Sequence, residues 1–391
     1  MPDKTQDGSI PVINRKVTRK DIARQLGVSV SVVSRALNNS GYVNKEAKEK
    51  ILALAEELHY TPNPVAMTLQ QRKTRQIMFV CKDLHNSFNI DLYYGMLKVA
   101  EERGYMLLLN GKLDFTLLRE TLVDGIILSN DYAAYDYDRR CGKNYYLPAV
   151  MAGFGNRFPM QKAIPVVEWN LYEGMEKAIG YLRKHGHKKI ALACSDVFLA
   201  ADPRTVAWIS MMRDELGKDL ARYHLGINSH DLDVMPGTKV PDSSTTGSAV
   251  NTIQAIGTVE ALGTVTERAL KQEEENFFEH GRLAARLFLD RKLDATALIC
   301  FNDELGFGVL SGLQKAGIRV PEDISLISFD GCYRIPQTSP RLTTVTGRPE
   351  HMGARLAGQL IDMIEGRPYH YVERMPIKIL EGESVGQAGK L

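Results

Sequence analysis

The sequence predicts two architectures in one chain: a small all-α head, then a long α/β body of doubly wound parallel sheets. Three observations predict it. Residues 17–58 carry apolar positions at helical spacing, punctuated by cap residues and glycine. After Arg75, short apolar runs alternate with helical segments through the body of the chain. Charge divides at the same place: residues 1–75 hold 13 Lys/Arg against 7 Asp/Glu, a net +6, so the chain's +2 leaves −4 for the rest. A chain of 391 residues also exceeds one core, which rarely grows past about 250–300 residues.

In the head, Thr18 and Asp21 form a variant capping box, with Asp in place of the usual Glu or Gln. Ile22, Ala23 and Leu26 share one helical face, and Gly27 supplies a left-handed stop. Ser29 caps a second helix through Val32, Val33, Ala36 and Leu37. Two short helices with glycine at the turn make a helix-turn-helix, whose second helix fits the DNA major groove. Val30, Ser31 and, one turn on, Arg35 are then the residues that reach base edges. Arg35 can pair bidentately with guanine, and valine can pack on a thymine methyl. A helical hairpin of another kind would explain the apolar positions. It would not explain the polar face Ser31, Ser34, Arg35 between basic flanks.

Asn44 caps a third helix, with Ile51, Leu54, Ala55 and Leu58 as its buried stripe and Glu46–Lys50 paired on the wet side. Pro62 and Pro64 end it. Val65–Gln70 has room for one more short helix, and Arg72, Lys73 and Arg75 lead into a strand. The basic head points to an anionic partner. On charge alone, a solvated basic surface explains it equally well.

In the body, QIMFVCKD, YMLLLN, DGIILSN, PAVMAGF, KKIALACSD, ALICFND and DISLISFD read as buried parallel strands. Leu92–Arg103, Glu173–His185, Glu279–Arg291 and Glu304–Ala316 read as helices between them. That is too much for one sheet, so two lobes with a crevice are expected, with ligands at the strand ends. Composition is that of an ordinary globular protein, and no apolar run approaches the roughly 18 residues of a spanning helix. The start, MPDKTQDGSIPVINRK, holds no signal-peptide stretch. The five scattered cysteines read as reduced thiols, which suits a cytoplasmic protein.

No nucleotide, zinc-protease or nucleophile-elbow motif occurs, so neither an enzyme, a metal nor a cofactor is expected. GFGVLSG (Gly306–Gly312) touches a dinucleotide glycine pattern but lies inside a predicted helix. Asp83, Asn302, Asp303 and Asp330 sit at strand C-termini. Each can bind ligand hydroxyls or can cap the following helix.

The stretches VTRKDIARQLGVSVSVVSRALNN (17–39) and GYVNKEAKEKILALAEELHYTPNPVAMTL (41–69) resemble the headpiece of the lactose/galactose repressor (LacI/GalR) family, nearly continuously. The resemblance implies that Val30, Ser31 and Arg35 read bases. It places Thr18, Ser29, Ser34, Asn38 and Tyr42 at the phosphate backbone. It makes the segment around Asn63, Ala66 and Leu69 a hinge helix that orders on the operator, with Leu69 wedged into the minor groove.

KDLHNSF, GHKKIAL, FNDELGFGVLSGLQKAGIRVPEDISLISFDG and SPRLTTVTGRPEHMG are similar to the same family's effector-binding core, which resembles periplasmic sugar-binding proteins. The resemblance assigns Asn302 and Asp330 to effector hydroxyls, and Arg204 to a fork onto ligand oxygens. Phe88 becomes a pocket aromatic, and Asn170 stands where many members have aspartate. Asp83 is a further candidate. Trp169 either stacks on a sugar face or is a core aromatic.

The implied organisation is a tail (1–16), a headpiece (17–62), a hinge helix and linker (63–74) and a core (75–391). Within the core, the N-lobe spans about 75–162 and 346–368, and the C-lobe about 163–345 and 369–391. The implied function is that of a cytoplasmic, nucleoid-associated, homodimeric transcriptional repressor on a pseudo-palindromic operator. A sugar or sugar phosphate would control it from between the lobes. The alternatives are a nucleobase or nucleoside effector, or a sugar receptor without a regulatory role. Two departures stand out: a segment near 110–124 shorter than family habit, and a Ser/Thr/Gly-rich insertion near 228–270. No C-terminal heptad predicts a tetramer.

Overall fold

A computed structural model describes residues 17–37, 39–58, 60, 73–82, 84–141, 147–155, 158, 160–161, 163–195, 202–227 and 276–388. Expectations for the tail, Asn38, Asn63, Ala66, Leu69, Asp83 and the insertion fall outside these residues. The chain forms two compact units, Met1–Thr74 and Arg75–Leu391.

The first unit packs α1 (Arg19–Leu26), α2 (Val30–Leu37) and α3 (Lys45–Glu57) around Ile22, Ala23, Val33, Ala36, Ile51 and Ala55. Local chemistry fixes each end. The Asp21 carboxylate accepts both the Thr18 amide (3.0 Å) and the Thr18 hydroxyl (2.6 Å). Gly27 turns the chain at φ 63°, where a side chain is disfavoured. Ser29 accepts from the Val32 amide at 3.3 Å, and Asn44 accepts from Glu46 (2.9 Å) and Ala47 (3.4 Å). Glu46 and Lys50 pair at 2.8 Å on the exposed side.

The second unit contains two six-stranded sheets. The N-lobe sheet runs β2 (Met106–Asn110), β1 (Gln76–Val80), β3 (Gly125–Leu128), β4 (Ala149–Gly153), β5 (Val166–Trp169), β11 (Val372–Met375), all parallel. It carries α4 (Ser87–Glu102), the single turn α5 (Leu117–Glu120), α6 (Asp131–Cys141) and α12 (Pro349–Glu365). The C-lobe sheet runs β7 (His224–Ile227), β6 (Ile190–Ser195), β8 (Ala297–Cys300), β9 (Ser325–Phe329), β10 (Thr343–Thr346), β12 (Lys378–Leu380). Only β12 is antiparallel to its neighbour. Its helices are α7 (Leu171–Lys184), α8 (Pro203–Leu216), the single turn α9 (Leu220–Tyr223), α10 (Phe277–Asp290) and α11 (Asp303–Lys315).

Every strand read from an apolar run is present. The five not anticipated lack that signature. β10 is TTVT, buried throughout yet mostly threonine, and β11 is a half-exposed edge. β5, β7 and β12 span only three or four residues. β5 and β11 belong to the first sheet, so the first and third lobe crossings differ from the expected 162 and 368, while the second falls close to the expected 345. The chain crosses just after Trp169, between Thr346 and Pro349, and between Met375 and Lys378. The first two crossings meet: a Cβ on Gly347 would overlap the Trp169 indole nitrogen. The third is adjacent, with the Pro376 carbonyl oxygen 3.0 Å from that Cβ position.

The glycine-rich GFGVLSG has a packing role. It lies inside α11, where a Cβ on Gly308 would overlap the Phe278 carbonyl and one on Gly281 would overlap that of Leu305. Helices α10 and α11 therefore touch backbone to backbone. In α4 and α12, Gly95 and Gly353 do the same against Glu350 and Leu92. Propensity alone predicts that Gly308→Ala stabilises α11 by about 1 kcal/mol. Overpacking reverses the sign, and thermal melting is expected to show a loss of about 1–3 kcal/mol.

His224, on β7, is buried with Nε2 3.2 Å from Cys194 Sγ. Burial holds its pKa down at about 4, against an ordinary 6.5. The unfolded chain therefore takes up a proton that the native chain refuses, and stability is lost as pH falls from about 6.5 through 4. Replacing His224 with Gln should flatten the denaturant midpoint across that window.

Candidate functional site

In the first unit, Val30, Ser31, Ser34 and Arg35 fall on one side of α2, opposite the buried Val33 and Ala36. Val30 is 41% exposed and Tyr42 85% exposed. Arg35 is exposed and loosely steadied, with Nε 3.4 Å from the Ser31 carbonyl oxygen and Nη1 3.4 Å from that of Tyr42. Ser34 accepts from Arg19 Nη1 at 3.0 Å, which leaves its own proton to donate. Ser29 is exposed beside its capping bond. Thr18 differs from the others, because its hydroxyl proton is already given to Asp21. The result is an exposed face with a guanidinium, two hydroxyls and a methyl-bearing side chain, backed by a rigid core. Those are the groups that base edges and phosphates require.

In the second unit, the carboxyl ends of β4, β5, β8 and β9 and the N-termini of α4, α8 and α11 converge on the crevice. The lobes meet there directly. Ser87, opening α4, donates from its amide (3.3 Å) and its hydroxyl to Glu304 of α11, which also takes Arg334 Nη1 at 2.8 Å. Asp91 accepts the Tyr333 amide at 2.8 Å. A Cβ on Gly155 would lie 2.9 Å from Pro203, beside Arg204.

Phe88 packs edge-on to Phe154 (5.5 Å) and Trp169 (5.6 Å), forming an aromatic wall. Trp169 is 1% exposed, and its indole N–H finds no acceptor among the described residues. Here it packs among the aromatics Phe88 and Phe154. Asn170 and Asn302 both cap helices, accepting from Glu173 (3.2 Å) and Leu305 (2.8 Å). Asn170 is exposed and Asn302 buried.

Arg204 departs from expectation. Its Nε and Nη2 hold both oxygens of Asp202 at 2.9 Å, and Nη1 donates to the Phe301 carbonyl at 2.6 Å. The guanidinium also stacks on the Phe301 ring at 3.2 Å. The fork expected to face ligand oxygens is closed by a carboxylate two residues away. The signal for this was the DPR sequence: Asp202 is the N-cap of α8 and Pro203 its first residue.

Asp330 is half-buried at φ 106°, its carbonyl accepting from the Thr346 hydroxyl. Burial, with the Asp303 carboxylate beside it, pushes its own carboxyl far above the usual range. Asp303 is a structural hub that the site assignment passed over. It accepts from Ser328 (2.5 Å), Thr344 (2.9 Å) and the Cys332 amide (2.7 Å). It thereby fixes the strand ends that present Asp330.

A match to the lacI family of bacterial regulatory proteins covers residues 18–63, and one to the periplasmic binding protein-like domain covers residues 179–385. The chain belongs to the lacI family of bacterial regulatory proteins. Among its relatives, the HTH-type transcriptional repressor PurR of Vibrio atlanticus is 25% identical over 93% of this chain and 99% of its own. The probable HTH-type transcriptional repressor ExuR of Bacillus subtilis is 29% identical over 89% and 92%. The lac repressor dimer bound to operator and the anti-inducer ONPF has the same fold, with TM-score 0.70 over 95% of this chain and 100% of that one, at 18% identity. Like its family, the chain is a DNA-binding transcriptional regulator whose head and two-lobed core divide the labour.

Removing the Asp303 carboxylate leaves three buried donors without an acceptor. Asp303→Ala should lower the unfolding free energy by about 2–5 kcal/mol in a urea titration.

Proposed function

We propose that the chain is a cytoplasmic, nucleoid-associated repressor that binds a pseudo-palindromic operator as a homodimer and changes its DNA affinity when a small molecule enters the crevice. The observation that carries this is the α2 face: Val30, Ser31 and Arg35 stand exposed on a helix whose opposite side is locked into a core. A two-fold dimer would place two such helices on successive major grooves. Thr18, Ser29, Ser34, Asn38 and Tyr42 contact phosphate in this reading, and Asn63, Ala66 and Leu69 enter the minor groove. A sugar receptor without a regulatory role has no use for such a face.

The effector is a neutral sugar. Asp330 and Asn302 lie at strand ends where hydroxyls bind, and Phe88 with Phe154 provides an apolar wall. The crevice cations Arg204 and Arg334 are already paired with Asp202 and Glu304, at 2.9 and 2.8 Å. A sugar phosphate that recruited either guanidinium would have to break its pair. The same aromatic wall supports a second reading, a nucleobase or nucleoside effector stacked against it.

Fluorescence anisotropy at about 0.15 M salt tests the DNA reading, comparing the chain's own upstream DNA with a scrambled duplex. A preference of about 10³-fold or more is expected. Arg35→Ala should reduce that preference by about 10–200-fold, the loss of one guanine pair, while leaving non-specific binding nearly intact. Equal, steeply salt-dependent binding to both duplexes would reduce the head to a phosphate-attracting surface. For the effector, a saturating ligand at about 100 times its Kd adds about 2.7 kcal/mol of stability. A melting screen of neutral sugars, sugar phosphates and nucleosides should therefore show its largest shift with a neutral sugar.

A further inference from the structure

We propose that α4 and α12 act as one rigid lever that carries the relative position of the lobes to Arg75, the first residue of the core. This rests on the reading above, in which lobe movement controls DNA affinity, and it names the element that transmits the movement.

Three observations support it. The first is rigidity. Gly95 and Gly353 let the two helices touch backbone to backbone, so neither can slide without a clash. The second is the grip at one end. Ser87 and Asp91 lie in the first turns of α4, and both are bonded to the C-lobe, through Glu304 and the Tyr333 amide.

The third is the grip at the other end, about 24 Å away along a 16-residue helix. There Arg103 Nη2 joins the tail of α12 through Asp362 and Glu365, both at 3.0 Å. Arg75 is held to this knot from several directions. Its amide donates to Asp124 (2.8 Å), and Nη1 reaches Glu365 (3.4 Å) and the Arg103 carbonyl (3.5 Å). Its guanidinium lies 5.1 Å over the Tyr105 ring. Arg75 adopts φ 58°, a left-handed conformation that a non-glycine residue keeps only when its surroundings enforce it. Arg75 is the first residue of the core, and Thr74 is the last residue of the other unit. Asp91 and Arg75 are thus positioning residues at the two ends of one rod.

Substitutions this far apart normally act independently. A double-mutant cycle on Asp91→Ala and Arg75→Gln therefore tests the lever, using the best-bound duplex from a random-sequence selection as the DNA probe. Asp91→Ala should change affinity for that duplex at least fivefold when Arg75 is present and less than twofold when it is Gln. Asp91→Asn keeps an acceptor for the Tyr333 amide and should restore the original affinity. Equal shifts in both backgrounds, or no shift from Asp91→Ala, would overturn the lever while leaving the DNA-binding reading intact.

Hydrogen exchange gives a readout that needs no DNA, and it decides the case if Arg75→Gln abolishes binding. Asp91→Ala should change exchange of the peptide spanning 73–80 at least threefold and leave β8 unchanged. Parallel changes in both peptides would mean general destabilisation, and no change would mean no transmission. Either result would sink the proposal.

Discussion

Backbone-to-backbone contact between helices is the constraint on which this core depends. In each lobe, one helix pair comes so close that a single methyl group at its crossing would strike a carbonyl oxygen: Gly95 and Gly353 in the N-lobe, Gly281 and Gly308 in the C-lobe. Such contacts fix the helices against each other more firmly than side-chain packing can, because no rotamer change relieves them. The strand ends that form the crevice are then presented by two stiff bodies. Movement of one lobe against the other is then concentrated between those bodies and at the three crossings near Trp169.

The polar chemistry of the crevice follows the same economy. Nearly every charged group there is answered by another in the chain: Arg204 by Asp202, Glu304 by Arg334 and Ser87, and Asp303 by three donors. A buried charge without a partner would cost several kcal/mol, so this neutralisation is a condition of folding. Asp330 is less fully compensated, because burial and the Asp303 carboxylate outweigh the Arg204 guanidinium. It also occupies a backbone conformation that few residues adopt. Strain of this kind collects at sites that bind something.

Much of this was legible in the sequence. The head was readable because its signals are local: a cap, a periodic stripe and a glycine stop lie within ten residues of one another, and each recurs in the structure where it was expected. The apolar strands were legible for the same reason. β10 was not, because TTVT looks like a surface segment until its neighbours bury it, and burial is a property of the sheet. The lobe crossings after Trp169 and Met375 were displaced for the same cause, since an edge strand such as β11 has no apolar run to announce it. The site was legible in its residue types but not in its pairings. Arg204 and Asn302 were found, and the DPR sequence and the place of Asn302 before a helix held the local signals of their partners, but the assignment to ligand oxygens overrode both. The residues that join the lobes, Ser87, Asp91 and Glu304, belong to contacts more than 200 positions apart and left no local trace.

The chain contains two tryptophans, and the fold places them unequally. Trp208 is anchored in the C-lobe, its indole N–H bonded to the Ile190 carbonyl at 3.0 Å. Trp169 sits where the crossings meet, against Gly347 and beside Phe88 and Phe154. One fluorophore is therefore tied to a single rigid body, and the other rests on the joint between two. The molecule carries its own optical gauge of lobe geometry, with an internal reference and no label required.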